Sequence, residues 1–307
     1  MGTRFSSAAS LPNKQPEENT MCPKEQLRKQ LNRSQLPTIW TIPDAMWVQL
    51  KELLPKQKDR GTSGRPPVPF RKVIDGILFI LRTGCQWNAV PSVYGSGSTC
   101  HRRFQEWVDA GLFEALVEAM LRIYDELQGI DWTWQAADTK TLPAPLGGSL
   151  TGPNPTDLGK SGTKRHLLIE GGGVPLSVHL SAANRHDLKG LADLIGEGEL
   201  LVPQRKEPTE KGPQHLCLDK AYDAEDADDL LDDLGYTGHV KRRGEEESEP
   251  GVGESVHPAR RWKAERSISW LNNMRKLRER WEKKAANYQG LWLLAIALII
   301  YRRTVLG

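Results

Sequence analysis

Three acidic residues stand where carboxylates could do metal chemistry: Asp138, Asp219 and Glu265. Asp138 comes at the end of a β-prone run, WTWQAADT (Trp132–Thr139), and Asp219 ends the short apolar run HLCLD (His215–Asp219). Glu265 is a lone carboxylate among Arg260, Arg261, Lys263 and Arg266 in ARRWKAERSISWLNNMRKL (Ala259–Leu277). Brought together, three carboxylates repel and raise one another's pKa unless cations neutralise them. Hard oxygen ligands with open positions suit Mg2+ or Mn2+. Two such ions about 4 Å apart can activate an attacking oxygen and stabilise a leaving one at a phosphodiester. Lys140, Lys160, Lys164, Arg165 and Lys220 are the basic neighbours that would hold a polyanion. Spacing alone leaves a plainer reading open, because the chain carries 39 Asp and Glu and Glu265 can pair with its own arginines on a surface helix.

The elements that must position these groups follow from periodicity. At about 100° per residue, Ala259–Leu277 reads as an amphipathic helix. Ile268, Trp270, Leu271, Met274, Leu277 and Trp281 form its apolar arc, and Arg261, Glu265, Asn272 and Lys276 share a neighbouring polar face. Trp262, Trp270 and Trp281 are most simply core at this spacing, with stacking on a flipped base as their other use. Upstream, Pro143–Gly162 is a long Gly/Pro-rich loop. His166–Glu170 and Val174–Ser181 read as a hairpin, Asn184–Ile195 and Asp226–Leu234 as helices, and Tyr236–Lys241 as a strand. Arg243–Val256 reads as a flexible acidic tether into the Glu265 helix. The order is strand, hairpin, helix, strand, helix, strand, helix, an α/β layer in which strand ends and nearby helices converge on one edge.

The first part of the chain is different. Residues 1–36 are polar and aperiodic, a disordered tail. Pro43–Leu54, Phe70–Arg82 with Gly84 as its C-cap, and Leu112–Leu127 read as helices. Between them, CQWNAVPSVYGSGSTCHRRFQEWVDAG fits a helix-turn-helix or a plain helical hairpin, its second helix starting at Ser98 or Thr99. Phe104, Trp107 and Val108 belong to the core there, while His101, Arg102, Arg103 and Gln105 are candidates to meet bases or phosphates. The basic loop KQKDRGTSGRPPVP, with Arg65, is either a linker or an arm along a nucleic-acid groove.

Composition excludes several classes. With 42 Lys and Arg against 39 Asp and Glu, total charge is only weakly basic, and charge placement carries more information than the sum. Cys22, Cys85, Cys100 and Cys217 are too scattered for a cysteine zinc site and fit a reducing compartment. The start lacks the build of a secretion signal, and the apolar run Leu291–Tyr301 is too short for a bilayer and reads as a core helix. A soluble, cytoplasmic protein with no membrane partner is expected.

Several stretches carry a family resemblance. AADTKT, GGSLTGPNPTDLGKSGTKRHLLIEGGGVPLSVHLSAANRHD, LCLDKAYD and ARRWKAERSISWLNNMRKLRERWEKKAANY resemble the DDE transposases of bacterial insertion sequences, insertion-sequence family five in particular. GRPPVPFRKVIDGILFILRTGCQWNAVPSVYGSGSTCHRRFQEW resembles that family's N-terminal DNA-binding domain. The resemblance implies an α+β or α/β protein with a helical DNA-binding domain over 37–129 and a ribonuclease H-like catalytic domain over 130–307. It implies Asp138, Asp219 and Glu265 as catalytic ligands of two Mg2+ or Mn2+ ions. It also implies cleavage and strand transfer at terminal inverted repeats, double-stranded DNA (element ends and target) as partner, a homo-oligomer in the active complex, and association with the nucleoid. Arg261 and Glu265 match the family signature Tyr-x2-Arg-x3-Glu-x6-Lys, but Pro258 and Asn272 stand in place of its Tyr and Lys. Lys276, a turn further along, is a candidate replacement cation. Arg65, Lys140, Lys160, Lys164, Arg261, Asn272 and Lys276 join His101, Arg102, Arg103 and Gln105 as expected DNA contacts. A plain nuclease on the same fold, or a silent DNA-binding copy, are the competing readings.

Overall fold

The structure, a computed structural model, describes residues 40–56, 66–195, 208–209, 212–218, 222, 225–240 and 261–306. The expected tail 1–36, Arg65, Asp219, Lys220 and the acidic tether Arg243–Val256 lie outside the described residues. So do the side chains of Arg261, Trp262 and Lys263.

Among the described residues four helices come first: α1 (Asp44–Leu53), α2 (Phe70–Thr83), α3 (Gly97–Asp109) and α4 (Leu112–Leu127). Gly84 ends α2 at φ 74°, in the left-handed conformation that lets its N–H reach Ile80 O at 2.8 Å. Ser96 caps α3 by accepting from Thr99 N at 3.2 Å, so the helix begins slightly ahead of its expected start. Two short 3-10 turns, Trp87–Ala89 and Ser92–Tyr94, fill the stretch where a first helix of a helix-turn-helix was one expectation. Phe104, Trp107 and Val108 are buried as expected.

Six strands and four more helices follow: β1 (Trp134–Pro143), β2 (Gly152–Pro153), β3 (Ser161–Glu170), β4 (Pro175–Ala182), α5 (Asp187–Ile195), β5 (Gln214–Leu218), α6 (Glu225–Asp233), β6 (Tyr236–Val240), α7 (Arg261–Asn272) and α8 (Ala285–Leu306). The sheet runs β3-β1-β5-β6, with β4 and the short β2 on β3. β3 is antiparallel to both β1 and β4, whereas β1, β5 and β6 are parallel. This mixed order is ribonuclease H-like.

Two expectations need correction. Asp138 does not end its strand; it is the fifth of ten residues in β1, because β1 pairs with β3 as far as Pro143↔Gly162. The Gly/Pro-rich composition hid that continuation. Second, the Glu265 helix stops at Asn272 and a separate 3-10 turn, Arg275–Leu277, comes after it. Asn272 and Lys276 therefore do not share one helical face, and Trp281 is 44 % exposed, not core.

Helix α8 holds the molecule together. It is apolar all round, and a helix of that kind is buried on every side; Leu291–Ile300 are all buried. It packs on α3 and α4 from the first part of the chain and on β4 and α7 from the second. No helix among the described residues is long and apolar enough to cross a membrane. Neighbouring residues of a strand face opposite sides of the sheet, which fixes the layers: Arg165 meets Trp292 of α8, while the ring of His166 lies under Gly190 of α5. A Cβ at Gly190 would come within 2.1 Å of that ring.

Candidate active site

β1 is buried on both faces from Trp134 to Ala137, half-buried at Asp138 and Thr139, and exposed at Lys140. Asp138 thus stands where the central strand emerges from its cover. On its own face it meets Arg165 of β3, whose Nη2 donates to Asp138 Oδ2. Arg165 is fully buried, with its guanidinium 5.3 Å from the ring of Trp292. Burial pulls the Arg165 pKa down and the Asp138 carboxylate pushes it back up. Arg165 cannot reach a polyanion, as basic neighbours of the site were expected to do; it holds the carboxylate instead. Among the described residues its Nε and Nη1 find no acceptor.

On the opposite face, Thr139 organises a chain of polar groups. Its Oγ1 is 2.9 Å from His166 Nδ1, and His166 Nε2 is 2.9 Å from Ser181 Oγ. The same Oγ1 hydrogen-bonds the hydroxyl of Tyr222. Both nitrogens of His166 are occupied within the fold. Burial and the nearby His179, Lys164, Arg165 and Arg185 press its pKa down to about 3. Tyr222, in the LCLDKAYD stretch, ties the chain after β5 back to β1 beside Asp138; its place three residues after Asp219 is the signal that sequence reading passed over.

Glu265 is exposed on α7, which packs against β1 and α8. The helix is fixed by Ser267, buried, whose Oγ donates to Gly173 O in the β3–β4 turn. That turn is itself closed by Glu170, which accepts from Gly172 N at 2.8 Å, Val174 N at 2.9 Å and Asp131 N at 3.0 Å. Burial raises the Glu170 pKa against the pull of those three N–H groups. Among the described residues no three His, Cys, Asp or Glu side chains form a group able to hold a metal; Asp219 is outside that set. Asp138 itself suits a metal ligand. One oxygen is oriented by Arg165, the arrangement by which an outer partner fixes a ligating carboxylate, and the group is partly open to solvent.

The expected DNA contacts with described side chains fall in four places. Arg102 and Arg103 lie on α3 and pair with Glu106 at 3.3 and 2.7 Å. Lys140 is exposed, and Lys160 pairs with Asp157 at 3.1 Å. Lys164 is largely buried, its ammonium donating to Asp187 Oδ1 at 2.8 Å and Arg185 O at 2.7 Å. His101, Gln105 and Lys276 line one cavity of about 760 Å3, together with Trp87, Trp281 and Glu282. Within it the His101 and Trp87 rings are 4.6 Å apart, and Lys276 pairs with buried Glu282 at 3.3 Å. Glu282 Oε1 also accepts from Trp87 Nε1 at 3.2 Å. Asn272, half-buried at the end of α7, accepts at its backbone oxygen from Arg278 Nε at 2.8 Å.

A mixed sheet of this order, with a carboxylate emerging mid-strand on β1, a carboxyl-bearing helix against that strand and helices on both faces, defines a ribonuclease H-like α/β protein. Residues 130–300 match the family described as "Transposase DDE domain", and residues 42–117 match "Putative transposase of IS4/5 family". This chain belongs to the DDE transposase family. Among relatives, the "Putative transposase for insertion sequence element IS402" of Burkholderia cepacia is 32% identical over 151 residues, covering 49% of this chain and 68% of that protein. The "Insertion element IS402 uncharacterized 16.2 kDa protein" of the same organism is 36% identical over 118 residues, 37% of this chain and 80% of that one. A solved structure described as "Crystal structure of the Mos1 mariner paired end complex with Mn" is 13% identical and spans 93% of this chain and 98% of that one, with a TM-score of only 0.23.

Proposed function

We propose that the chain binds the terminal inverted repeats of its insertion sequence and carries out metal-dependent cleavage and strand transfer there. Residues 37–129 serve as the end-recognition domain and 130–307 as the catalytic domain. Asp138, Asp219 and Glu265 are the ligands. When bound, two Mg2+ or Mn2+ ions supply the Lewis acidity that activates water or a 3′-hydroxyl at the phosphodiester. The chain's own part is to hold the carboxylates: Arg165 orients Asp138, and Ser267 fixes the helix of Glu265. The observation that carries this reading is the bond between Tyr222 and Thr139, next to Asp138. β5 runs parallel to β1 with Cys217 opposite Ala136, and Leu218 leads directly into Asp219. The residues described on either side of Asp219 are thus both tied to the strand of Asp138.

Arg65, Arg102, Arg103, Lys140, Lys160, Arg261 and Asn272 contact the DNA backbone, and His101 and Gln105 meet it from their shared cavity. Lys164 and Lys276, whose ammonium groups are paired, act through Asp187 and Glu282. Active copies assemble as a homo-oligomer on two element ends, in the nucleoid.

Each of Asp138→Asn, Asp219→Asn and Glu265→Gln abolishes cleavage of a duplex carrying the element end while its affinity for that duplex stays within about twofold. Cleavage retained by any one removes that residue from the triad. Strand joining with pre-cut ends separates a transposase from a plain nuclease, and wild-type protein that binds ends but never cuts them is a silent copy.

A further inference from the structure

A cavity of about 510 Å3 lies between the end of α2, the stretch after α7 and the last turn of α8. Arg82, Arg275, Arg278 and Arg302 converge on it, with Trp40 and Trp270 also in its wall, and among the described residues no Asp or Glu lines it. Arg82 lies 5.3 Å over the Trp40 ring. Arg278 gives its Nε to a backbone oxygen, and among the described residues none of the four arginines is in an ion pair. Like charges gathered in a concave site without a counter-charge are unfavourable unless an anion joins them. Burial, and then the charge of Arg302, push the pKa of Arg82 down. Planar guanidinium forks suit phosphate oxygens. The volume is that of a site for a small organic ligand, larger than one phosphate needs, and two tryptophans add faces on which a sugar or base can rest.

Trp270 comes five positions after Glu265 along α7, about 7.5 Å at 1.5 Å per residue. That equals roughly two base-pair steps of rise along a duplex axis. Resting on the transposase reading above, we propose that Arg82, Arg275, Arg278 and Arg302 form a phosphate pocket that grips the DNA backbone about two nucleotides from the phosphodiester that is cut. The pocket takes Trp40, Arg82 and Thr83 from the first part of the chain and the rest from its last fifty residues. Engagement of the strand there would therefore register end recognition against catalysis.

The test uses the full chain and two double variants, Arg82→Gln with Arg302→Gln, and Arg275→Gln with Arg278→Gln. Affinity is measured by fluorescence anisotropy across a salt series, for a duplex taken from the flank of the reading frame and for an unrelated duplex of equal length. Each double variant is expected to bind at least tenfold more weakly, with the salt slope shallower by about 0.9 for each phosphate the pocket no longer neutralises. Weakening confined to the flank duplex assigns the pocket to the element end, and equal weakening on both assigns it to DNA generally, target included. Thermal melting confirms folding, since removing like charges should leave Tm unchanged or raised. In parallel, inorganic pyrophosphate is expected to raise the Tm of the wild type and not of the variants. Unchanged affinity and slope in variants of a wild type that cleaves its ends would overturn the pocket and leave the transposase reading standing. A wild type that never cleaves its ends, yet is stabilised by pyrophosphate through these arginines, would sink the transposase reading and keep the anion site.

Discussion

Asp138 and Arg165 form an ion pair whose part in metal binding and whose part in stability can be measured apart. Arg165 is fully buried, and among the described residues it has a single carboxylate partner and leaves Nε and Nη1 unsatisfied. Such an ion is costly to bury; replacing a whole buried pair by apolar side chains is often neutral or stabilising, and removing one partner is destabilising chiefly where it strands a buried charge. Asp138 is 27 % exposed, so water can solvate it once the arginine is gone. Arg165→Met is therefore expected to change unfolding stability by no more than about 1 kcal/mol in denaturant titrations. The carboxylate would then lose its fixed orientation, and loss of an outer partner of this kind weakens metal affinity about 10–100-fold. Titrating Mn2+ against the folded protein by water-proton relaxation, and Mg2+ in the cleavage assay, checks this. A large loss of stability with unchanged metal dependence would make Arg165 a structural residue only. The sequence offered Arg165 only as one more basic neighbour. Its role depends on β3 lying beside β1 with Lys140 opposite Arg165, a pairing across a loop whose composition did not reveal it.

At the level of elements, most of the architecture could be read from local pattern: α2 and α4 each bury one face at helical period, and a Gly-rich turn separates β3 from β4, which are buried on both faces. The exception was α7. Its apolar spacing continues to Trp281, yet the helix gives way at Asn272 and Met274 is extended, with ψ 94°. The Asn272–Asn273 pair is a helix stop signal in the sequence. The 3-10 turn beyond it packs on α2, a choice made by tertiary packing that no local period encodes. The layer under the sheet has a measurable consequence. His166 joins β1, β4 and α5, and its pKa drops from 6.5 in the unfolded chain to about 3 in the fold. The unfolded state then binds a proton that the folded state refuses, so stability falls as pH drops below about 6.5 and stops falling near 3. Over that window the slope from this group approaches about 1.4 kcal/mol per pH unit. Urea titrations from pH 7 to 4 should show a shallower acid limb in His166→Gln, by up to that slope. An identical limb would mean that His166 takes up its proton inside the fold despite the bases that face it, His179, Lys164, Arg165 and Arg185.

For the molecule as a whole, the sequence separated a helical part from an α/β part, and α8 is what that division left out. The helix closes the chain, yet it supplies a wall to both parts, packing on α3 and α4 as well as on β4. Its close approach depends on Gly290, where an added Cβ would lie 2.7 Å from Val108 Cγ2, 3.4 Å from Phe113 Cδ2 and 3.5 Å from Phe104 Cζ. Two effects compete in Gly290→Ala. Helix propensity favours alanine by about 1 kcal/mol, while overpacking a filled core costs about 1–3 kcal/mol. The neighbouring atoms belong to side chains locked between helices, with Phe104 and Phe113 fully buried. The steric term should win, giving a net loss of about 1–2 kcal/mol. Val108→Ala removes the closest atom at the cost of a small cavity. In the double variant the new methyl occupies that space, so the combined loss should fall short of the sum of the two single losses by at least about 0.5 kcal/mol. Strict additivity in a double-mutant cycle would mean that α8 shifts away from α3 to admit the methyl. The helical part and the α/β part would then be joined across a more yielding surface than this packing implies.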